Sequence, residues 1–477
     1  MATNRFNLTA AIWLNRLAKT NFCNQIMKCF NKLFALITFC CICSAAFAQT
    51  NNHQSYPPQY GKPFKHVPDT RDVTMYQVNT RSFSKEGNFK GVIARLDSIK
   101  ALGINVIYVM PIYPVGILKG KDSPYATKDY NEVGSEFGTL DDFRALVNGA
   151  HKRKIAVMLD FVANHTSWDN PWIANKGWYE LNAAGNIKYP MDWEDVAQLN
   201  FKSADMRLAL IWSMKSWVLK ANIDGIRCDY ADGPPLDFWK QAIDTLRNIK
   251  THKLLLLAEG SRNGDFDAGF DYNFGFSFFG NMKNIYRRNK SVKSIDSVNV
   301  KDYKGTVDGQ GMVRYLTNHD VNSSDGTPLE LFGGKKGSMA AFVVVAYMKG
   351  IPLVYNGQEI GTPFRLVFPF TNSKLDWTIS NPDITAEYKR IIGFRNKNET
   401  VRRGELASYS SDDVCVFTKT EGSKKVLVMS NLRNKQVVYT VPPALVSGSW
   451  KNAYTGTKTS LENTITLEPY TYIVLKN

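Results

Sequence analysis

Short β-rich runs that alternate with helical segments between residues 73 and 357 constrain the fold of this chain most strongly. Helical patterns such as 139–154, 204–220, 237–249 and 340–348 separate the runs, and the first of them opens with a Thr–Asp capping pattern at Thr139. Runs of this kind, joined through helices, are typical of parallel βαβ units. About eight units over residues 71–400 predict a (β/α)8 TIM barrel. The runs are VTMYQV (73–78), NVIYVMP (105–111), IAVMLDF (155–161), GIRCD (225–229), LLLLAE (254–259), GFDYNF (269–274), VRYLTN (313–318) and IPLVYNG (351–357).

Two segments depart from this alternation. Residues 166–202 follow the third strand and are rich in Asn, Trp, Gly and Pro, so we expect a short insertion there. From about Glu405 the pattern changes to alternating strands with turn signals and no helix. The predicted strands are ELASYS, VCVFTK, KVLVMSNL, QVVYTV and ITLEPYTYIVL. Residues 401–477 are therefore predicted to form a C-terminal antiparallel β-sandwich domain.

The N-terminus has the pattern of a targeting segment. Lys28 and Lys32 precede the apolar run LFALITFCCICSAAFA, which ends in the small-residue signal Ala46-Phe47-Ala48. Residues 1–48 are predicted to be a secretory signal peptide, so that the protein is secreted or periplasmic and residues 49–70 are a linker. Met27 is an alternative start, which would make residues 1–26 an over-extended reading frame. The apolar run is shorter than the roughly 20 residues of a membrane span, so no span is expected in the mature chain, although an uncleaved anchor stays open.

Charge and cysteine content argue against several classes of protein. The whole chain carries +16, and loss of the five basic residues of the signal peptide leaves +11. These charges are scattered among acids, without the basic, aromatic-interleaved stripe of a nucleic-acid binder, so no nucleic-acid partner is expected. After residue 48 only Cys228 and Cys415 remain, far apart, so neither disulfides nor a zinc site are predicted. We expect a monomer.

Acidic side chains stand at four of the predicted strand ends. In a barrel of this kind the chemistry lies where strands end and loops begin. Each acid taken alone is more typical of a helix cap or a turn. Here four acids stand at strand ends of one barrel, and two of them have a histidine nearby. Together they indicate a single active site. They are Asp160, Asp229, Glu259 and Asp320.

Two of these acids fit the pair that glycoside hydrolysis requires. Asp229 lies two residues beyond Arg227 on the same strand face, where a guanidinium is expected to lower the pKa of a nucleophile. Glu259 ends a run of leucines, where burial is expected to raise the pKa of a general acid. The alternative is a structural salt bridge beside a buried, hydrogen-bonded acid. Asp320 would accept hydrogen bonds from sugar hydroxyls, and His165 and His319 would act as neutral donors.

Several short segments together resemble the α-amylase family of glycoside hydrolases (family 13). The resemblance covers about residues 70–400 and extends to the C-terminal β-domain. The segments, in chain order, are YQVNTRSFS (76–84), SPYATKDYNEVGSEFGTLDDF (123–143), DFVANH (160–165), GIRCD (225–229), AEG (258–260), TNHD (317–320) and GIPLVYNGQEIG (350–361).

The resemblance implies a role for each matched position. Asp229 would be the nucleophile and Glu259 the general acid/base, while Asp320 would bind and distort the sugar. The side chains implied to line the same subsite are Arg227, His165, His319 and Tyr125, the last by stacking on the sugar ring. Asp160 would orient its neighbours. The implied reaction is retaining hydrolysis of α-glucosidic bonds, α-1,4 above all, in starch-like glucans or malto-oligosaccharides, by double displacement.

Alternatives stay open at this point. An α-glucosidase or a glucan transglycosylase would use the same machinery, and a non-catalytic glycan-binding or scaffold barrel belongs to a different class. The family often has a Lys-His pair where this chain has Asp232 and Gly233, and an acid where it has Gln198. No metal ligands and no cofactor are therefore predicted, and Ca²⁺ is left open because Asn164 offers an oxygen but carboxylates are missing.

Overall fold

The computed structural model describes residues 55–477, which contain eighteen β-strands. The strands are β1 (Met75–Val78), β2 (Val106–Val109), β3 (Ala156–Phe161), β4 (His165–Ser167), β5 (Val196–Gln198), β6 (Gly225–Cys228), β7 (Leu255–Ala258), β8 (Tyr272–Phe274), β9 (Gly311–Tyr315), β10 (Ile351–Tyr355), β11 (Glu405–Ser408), β12 (Val414–Glu421), β13 (Lys424–Asn431), β14 (Val437–Thr440), β15 (Trp450–Asn452), β16 (Lys458–Thr459), β17 (Thr464–Leu467) and β18 (Tyr472–Lys476).

Eight parallel strands close into a barrel in the order β1-β10-β9-β8-β7-β6-β3-β2. Every residue of these strands is buried, because side chains fill the interior and helices cover the outside. The predicted (β/α)8 barrel is therefore confirmed. Each predicted apolar run contains or overlaps one barrel strand, including GFDYNF, of which only Tyr272–Phe274 is strand.

The helices fill the connections between strands. Helix Leu140–Lys152 begins with the predicted cap, since Thr139 and Asp142 form a reciprocal capping box. Helix Leu236–Arg247 buries one apolar face against the barrel. The remaining α-helices are Thr80–Phe83, Phe89–Ile93, Leu96–Ala101, Ala204–Ala221, Gly264–Ala268, Phe276–Arg288, Ser294–Asp302, His319–Ser324, Pro328–Leu331, Gly334–Tyr347, Pro382–Lys397, Glu399–Arg403 and Pro443–Val446. Short 3-10 helices span Thr70–Asp72, Pro171–Ala174, Lys176–Trp178 and Gln358–Ile360.

The segment between β3 and β6 contains the predicted insertion. Strands β4 and β5 pair antiparallel, with His165 opposite Gln198, and two 3-10 turns lie between them. Trp172 and Trp178 meet edge to face with their ring centroids 5.0 Å apart. Both rings also pack against the hydrophobic core of the barrel, so the insertion extends that core.

The C-terminal part consists of two antiparallel sheets of unequal size. The larger has the order β11-β12-β13-β18-β15-β16, and the smaller pairs β14 with β17. Apolar residues of both sheets form a separate core that includes Val416, Leu427 and Leu467. Two expectations for this region were wrong. A short helix, Pro443–Val446, interrupts the strands, and the run ITLEPYTYIVL is two strands because Tyr470 adopts a left-handed conformation between them, with φ 54°.

Two further features concern the ends of the domains. The boundary predicted between residues 400 and 401 falls inside helix Glu399–Arg403, and the first strand of the C-terminal sheet begins at Glu405. Pro57–Asn477 forms one compact unit.

The predicted signal peptide, residues 1–48, lies outside the described residues. Within the described part of the chain, no helix combines the length and apolarity that crossing a membrane would require.

Candidate active site

One buried guanidinium contacts three carboxylates at the carboxyl end of the barrel. Arg227 Nη1 lies 2.7 Å from Asp160 Oδ1 and 2.9 Å from Asp229 Oδ1. Its Nη2 lies 2.7 Å from Glu259 Oε1. The Arg227 side chain is fully buried, so these contacts exclude water. A planar guanidinium with separate nitrogen atoms can hold several carboxylates in fixed positions, which an ammonium group cannot do.

Strand register explains why these residues meet. Asp160 of β3 pairs with Arg227 of β6, and Arg227 pairs with Leu257 of β7. Because side chains two residues apart share a face, Asp229 and Glu259 follow Arg227 and Leu257 on the same side. The backbone continues the pairing beyond the strands, since the N–H of Asp229 donates to Phe161 O and that of Glu259 donates to Cys228 O.

The expected electrostatics of Asp229 were wrong in sign. Burial raises the pKa of Asp229 well above its ordinary value, although the Arg227 guanidinium opposes this. The carboxylates of Glu259 and Asp160 raise the pKa further, because they share the single guanidinium. Arg227 therefore does not produce a low pKa at the nucleophile position, and it only limits a rise that burial causes.

The expected apolar surroundings of Glu259 were also not found. The leucines of β7 are buried in the barrel core, whereas the Glu259 side chain beyond the strand is 16% exposed. Instead Glu259 Oε1 faces Arg227, and Oε2 accepts a hydrogen bond of 3.0 Å from the backbone N–H of Tyr230. Tyr230 makes this contact from a left-handed conformation with φ 39°. The loop after β6 thereby fixes the orientation of Glu259.

A chain of hydrogen bonds links the remaining predicted residues. The Gln77 amide donates to His319 Nδ1 at 2.8 Å, so the ring proton lies on Nε2, which is 2.7 Å from the Tyr125 hydroxyl. The Tyr125 hydroxyl in turn donates to Asp160 Oδ2 at 3.2 Å. Burial lowers the pKa of His319 to about 3, so the ring is neutral and can donate. The Tyr125 ring is oriented by these contacts.

The three predicted carboxylates open into one cavity of about 630 Å³. Asp320 stands across the cavity with 59% of its side chain exposed, and its Oδ1 is 3.2 Å from His319 Nε2. His165 lines the cavity beside Trp193, and burial lowers its pKa to about 4. Six of the seven predicted site residues line this cavity, and the seventh, Arg227, lies directly beneath.

Asp232 has a structural role that the sequence did not reveal. Its Oδ2 accepts hydrogen bonds from the Ser261 backbone N–H at 3.1 Å and from the Ser261 hydroxyl at 2.7 Å. Its Oδ1 lies 3.2 Å from Arg262 Nε. Asp232 thus ties the loop after β6 to the loop after β7, two residues beyond Glu259. The only signal in the sequence was the acid itself, because its partners come from another strand.

The residues at the place where the family often binds calcium do not fit that ion. The Gln198 amide N–H donates to both the backbone oxygen and the side-chain oxygen of Asn164, at 3.1 and 3.2 Å. An amide donor that occupies both oxygens leaves neither directed at a cation, and calcium requires several oxygen ligands. Within residues 55–477 there is no group of three or more His, Cys, Asp or Glu side chains that could hold a metal ion.

Known proteins that are similar to this chain agree with the fold described above. The model of the α-amylase catalytic domain matches residues 41–184. "Alpha-amylase 2" of Dictyoglomus thermophilum is 26% identical over 399 residues, covering 78% of this chain and 67% of that protein. A crystal structure of an α-amylase from Lactobacillus plantarum superposes with a TM-score of 0.76 at 26% identity, covering 86% of this chain and 99% of that one. These matches support the assignment of the chain to the α-amylase family of glycoside hydrolases.

A relative that is named for a different activity is also similar to this chain. "Probable oligo-1,6-glucosidase 3" of Bacillus subtilis is 26% identical over 379 residues, covering 63% of this chain and 67% of that protein. Proteins that are named for different activities are therefore similar to this chain.

Proposed function

We propose that this enzyme hydrolyses α-1,4-glucosidic bonds within starch-like glucans or malto-oligosaccharides, with retention of anomeric configuration. The observation that carries the proposal is the single Arg227 guanidinium that holds Asp229 and Glu259 at adjacent strand ends, facing one open cavity. Such a pair of carboxylates is what double displacement at a sugar carbon requires.

In the first step Asp229 is the nucleophile and Glu259 the general acid. A carboxylate oxygen of Asp229 attacks the anomeric carbon while protonated Glu259 gives its proton to the glycosidic oxygen, so that the old C–O bond breaks and a glycosyl ester forms. The Glu259 carboxylate then takes a proton from water, and the resulting hydroxide displaces Asp229. Arg227 limits the rise that burial causes in the pKa of Asp229, and the Tyr230 N–H holds Glu259 in place.

The other side chains bind the sugar in this proposal. Asp320 is exposed in the cavity and accepts hydrogen bonds from sugar hydroxyls, while neutral His165 donates to them. His319 acts through Tyr125, because its single N–H, on Nε2, donates to the Tyr125 hydroxyl. The Tyr125 ring offers an aromatic face to the sugar, since its hydroxyl is already held by His319 and Asp160. Asp160 accepts from Tyr108, Tyr125 and Arg227 and acts as a positioning residue.

The test replaces each catalytic carboxyl group with its amide. Asp229→Asn and Glu259→Gln should each lower kcat on soluble starch by at least about 10³-fold, because covalent and acid catalysis are lost. Asp141→Asn, at an exposed helix position, is the control and should keep wild-type kcat. NMR of the products should show the α-anomer first. Initial release of the β-anomer, or wild-type turnover by Asp229→Asn, would overturn the assignment.

An exo-acting α-glucosidase or a transglycosylase is the second candidate, and the oligo-1,6-glucosidase relative supports it. The openness of the cavity favours the endo-acting proposal: Phe276 and Phe368 line it with 38% and 42% of their surfaces exposed. Chromatography of the products separates these cases. Mixed malto-oligosaccharides support endo hydrolysis, whereas glucose alone or longer transfer products would favour the second candidate.

We also propose that the mature protein is a secreted or periplasmic monomer that begins at Gln49. Support comes from the basic and apolar segments and the Ala-Phe-Ala signal before Gln49. N-terminal sequencing of the protein exported from cells should give Gln49, and light scattering should give the mass of one chain. An exported protein that still contained residues 27–48 would contradict cleavage before Gln49.

A further inference from the structure

A second cavity, of about 300 Å³, lies at the opposite end of the barrel from the active site. The residues Gly311 and Ile351, at the starts of β9 and β10, form its barrel side. Lys419 of β12 contributes the side of the C-terminal domain. Because the catalytic carboxylates stand at the carboxyl ends of the strands, this basal pocket is a separate site.

Two lysines without counter-ions line the basal pocket. Lys419 is only 4% exposed, and it has no hydrogen-bond or ion-pair partner among residues 55–477. Lys349 stands at the mouth of the pocket, with Nζ 3.8 Å from the centre of the Tyr303 ring and no carboxylate partner in the described part of the chain. Buried lysines are ordinarily paired, because an unpaired buried charge is costly.

The arginines of the pocket, by contrast, have their own acidic partners. Arg71 pairs with Asp69 at 2.9 Å and with Asp308 at 2.6 Å. Arg402 and Arg403 both contact Asp72, at 2.8 and 2.6 Å. The nearby carboxylates are therefore already engaged, and none of them contacts Lys419. The positive charge of the two lysines is left without compensation.

Two further buried cations lie behind Lys419. Arg314 donates to Asn299 Oδ1 at 2.5 Å, but its Nε and Nη1 have no hydrogen-bond partner in the described structure. Arg395 is also buried and donates to backbone oxygens and to Thr74. Burial together with Lys349, Arg395 and Arg314 lowers the pKa of Lys419 to about 8. A ligand with negative charge would relieve this repulsion.

We propose that the basal pocket binds a phosphate group, either as free phosphate or as part of a phosphorylated sugar. The ammonium groups of Lys419 and Lys349 would donate charge-assisted hydrogen bonds to its oxygens. The pocket volume is at the lower end of the range for small-molecule sites, which suits a ligand of this size. Because the pocket joins the barrel to β12, the bound group would also stabilise the contact between the two domains.

Calorimetric titration of the full chain with inorganic phosphate and with glucose 1-phosphate tests the proposal. One molecule should bind per chain, and Lys419→Met should weaken binding at least about tenfold. Lys451→Met, at an exposed position on β15, is the matched control and should bind like the wild type. Equal affinity for both ligands identifies free phosphate as sufficient, whereas tighter binding of glucose 1-phosphate identifies a phosphorylated sugar.

Thermal unfolding at matched ionic strength provides a second measurement. Phosphate should raise Tm of the wild type and of Lys451→Met more than that of Lys419→Met, which separates site binding from general salt stabilisation. Without phosphate, Lys419→Met should be at least as stable as the wild type, because an uncompensated charge is removed. If that variant does not fold, Lys349→Met replaces it. Absence of binding to the wild type at millimolar phosphate, or an equal response of all variants, would overturn the proposal.

Discussion

Replacement of Arg227 by lysine tests the arrangement of the active site in detail. The variant keeps one positive charge but replaces two separate nitrogen atoms by one. In the native site Nη1 contacts Asp160 and Asp229, and Nη2 contacts Glu259. A lysine ammonium cannot hold all three carboxylates at once, so at least one buried carboxylate loses its partner.

The magnitude follows from the contacts that are lost. Charge-assisted hydrogen bonds contribute about 1.5–3 kcal/mol each, so losing one or two should reduce the free energy of unfolding by about 1.5–6 kcal/mol. Burial already raises the pKa of Asp229, and weaker compensation should raise it further. A larger fraction of Asp229 is then protonated and not nucleophilic. We therefore expect the acid limb of the kcat/KM profile to move to higher pH.

The assay measures kcat/KM on a chromogenic maltoside from pH 4 to pH 9, together with urea unfolding. At pH 6, Arg227→Lys should lower kcat/KM by about 10²–10³-fold, corresponding to roughly 2.7–4 kcal/mol. Arg153→Lys is the control, since Arg153 makes a bidentate pair with Asp97 at the surface, where such pairs contribute little. Wild-type activity with an unmoved acid limb in Arg227→Lys would refute the reasoning.

Three further predictions concern other parts of the site. Asp232→Ala should lower the free energy of unfolding by about 1–3 kcal/mol and reduce kcat more than it changes KM, because the loop after Glu259 loses its attachment; a change confined to KM would contradict this. Burial lowers the pKa of His165 from 6.5 to about 4, so its contribution to stability is complete above pH 6.5 and is lost as pH falls toward 4. The free energy of unfolding of the wild type should therefore fall between pH 6.5 and pH 4, and His165→Gln should reduce that fall by about 2–3 kcal/mol, as measured by urea unfolding. An equal pH dependence of the two proteins would argue against the buried neutral ring. Chelation with EDTA should leave Tm unchanged, because the Gln198 amide occupies both oxygens of Asn164; a lowered Tm restored by Ca²⁺ would show that an ion binds there.

The sequence was sufficient to predict the barrel and the positions that converge in the site. The strands are short, apolar and separated by amphipathic helices, so local pattern determines both their number and where they end. Asp160, Asp229, Glu259 and Asp320 could be grouped because parallel strands finish at the same edge. The helix Pro443–Val446 and the division of the last run into β17 and β18 could not be predicted, since they depend on local turns in a region of strand-like residues.

The pKa of Asp229 could not be predicted from its local sequence, for a different physical reason. From the sequence, Arg227 and Asp229 form an isolated pair, in which the guanidinium lowers the pKa of the acid. In the structure the guanidinium is shared with Asp160 and Glu259, and burial is the largest influence on the pKa of Asp229. The contacts of Asp232 could not be predicted either, because its partners Ser261 and Arg262 follow a neighbouring strand. Such contacts depend on which loops meet.

Covalent trapping tests the central claim most directly. A fluorinated α-glucosyl substrate that forms the glycosyl ester quickly and hydrolyses slowly would be added to the full chain, followed by proteolysis and mass spectrometry. The account predicts one sugar per chain, attached to the peptide that contains Asp229, and no labelling of the Asp229→Asn variant. Attachment to another carboxylate, or complete hydrolysis of the substrate without any labelled peptide, would contradict it.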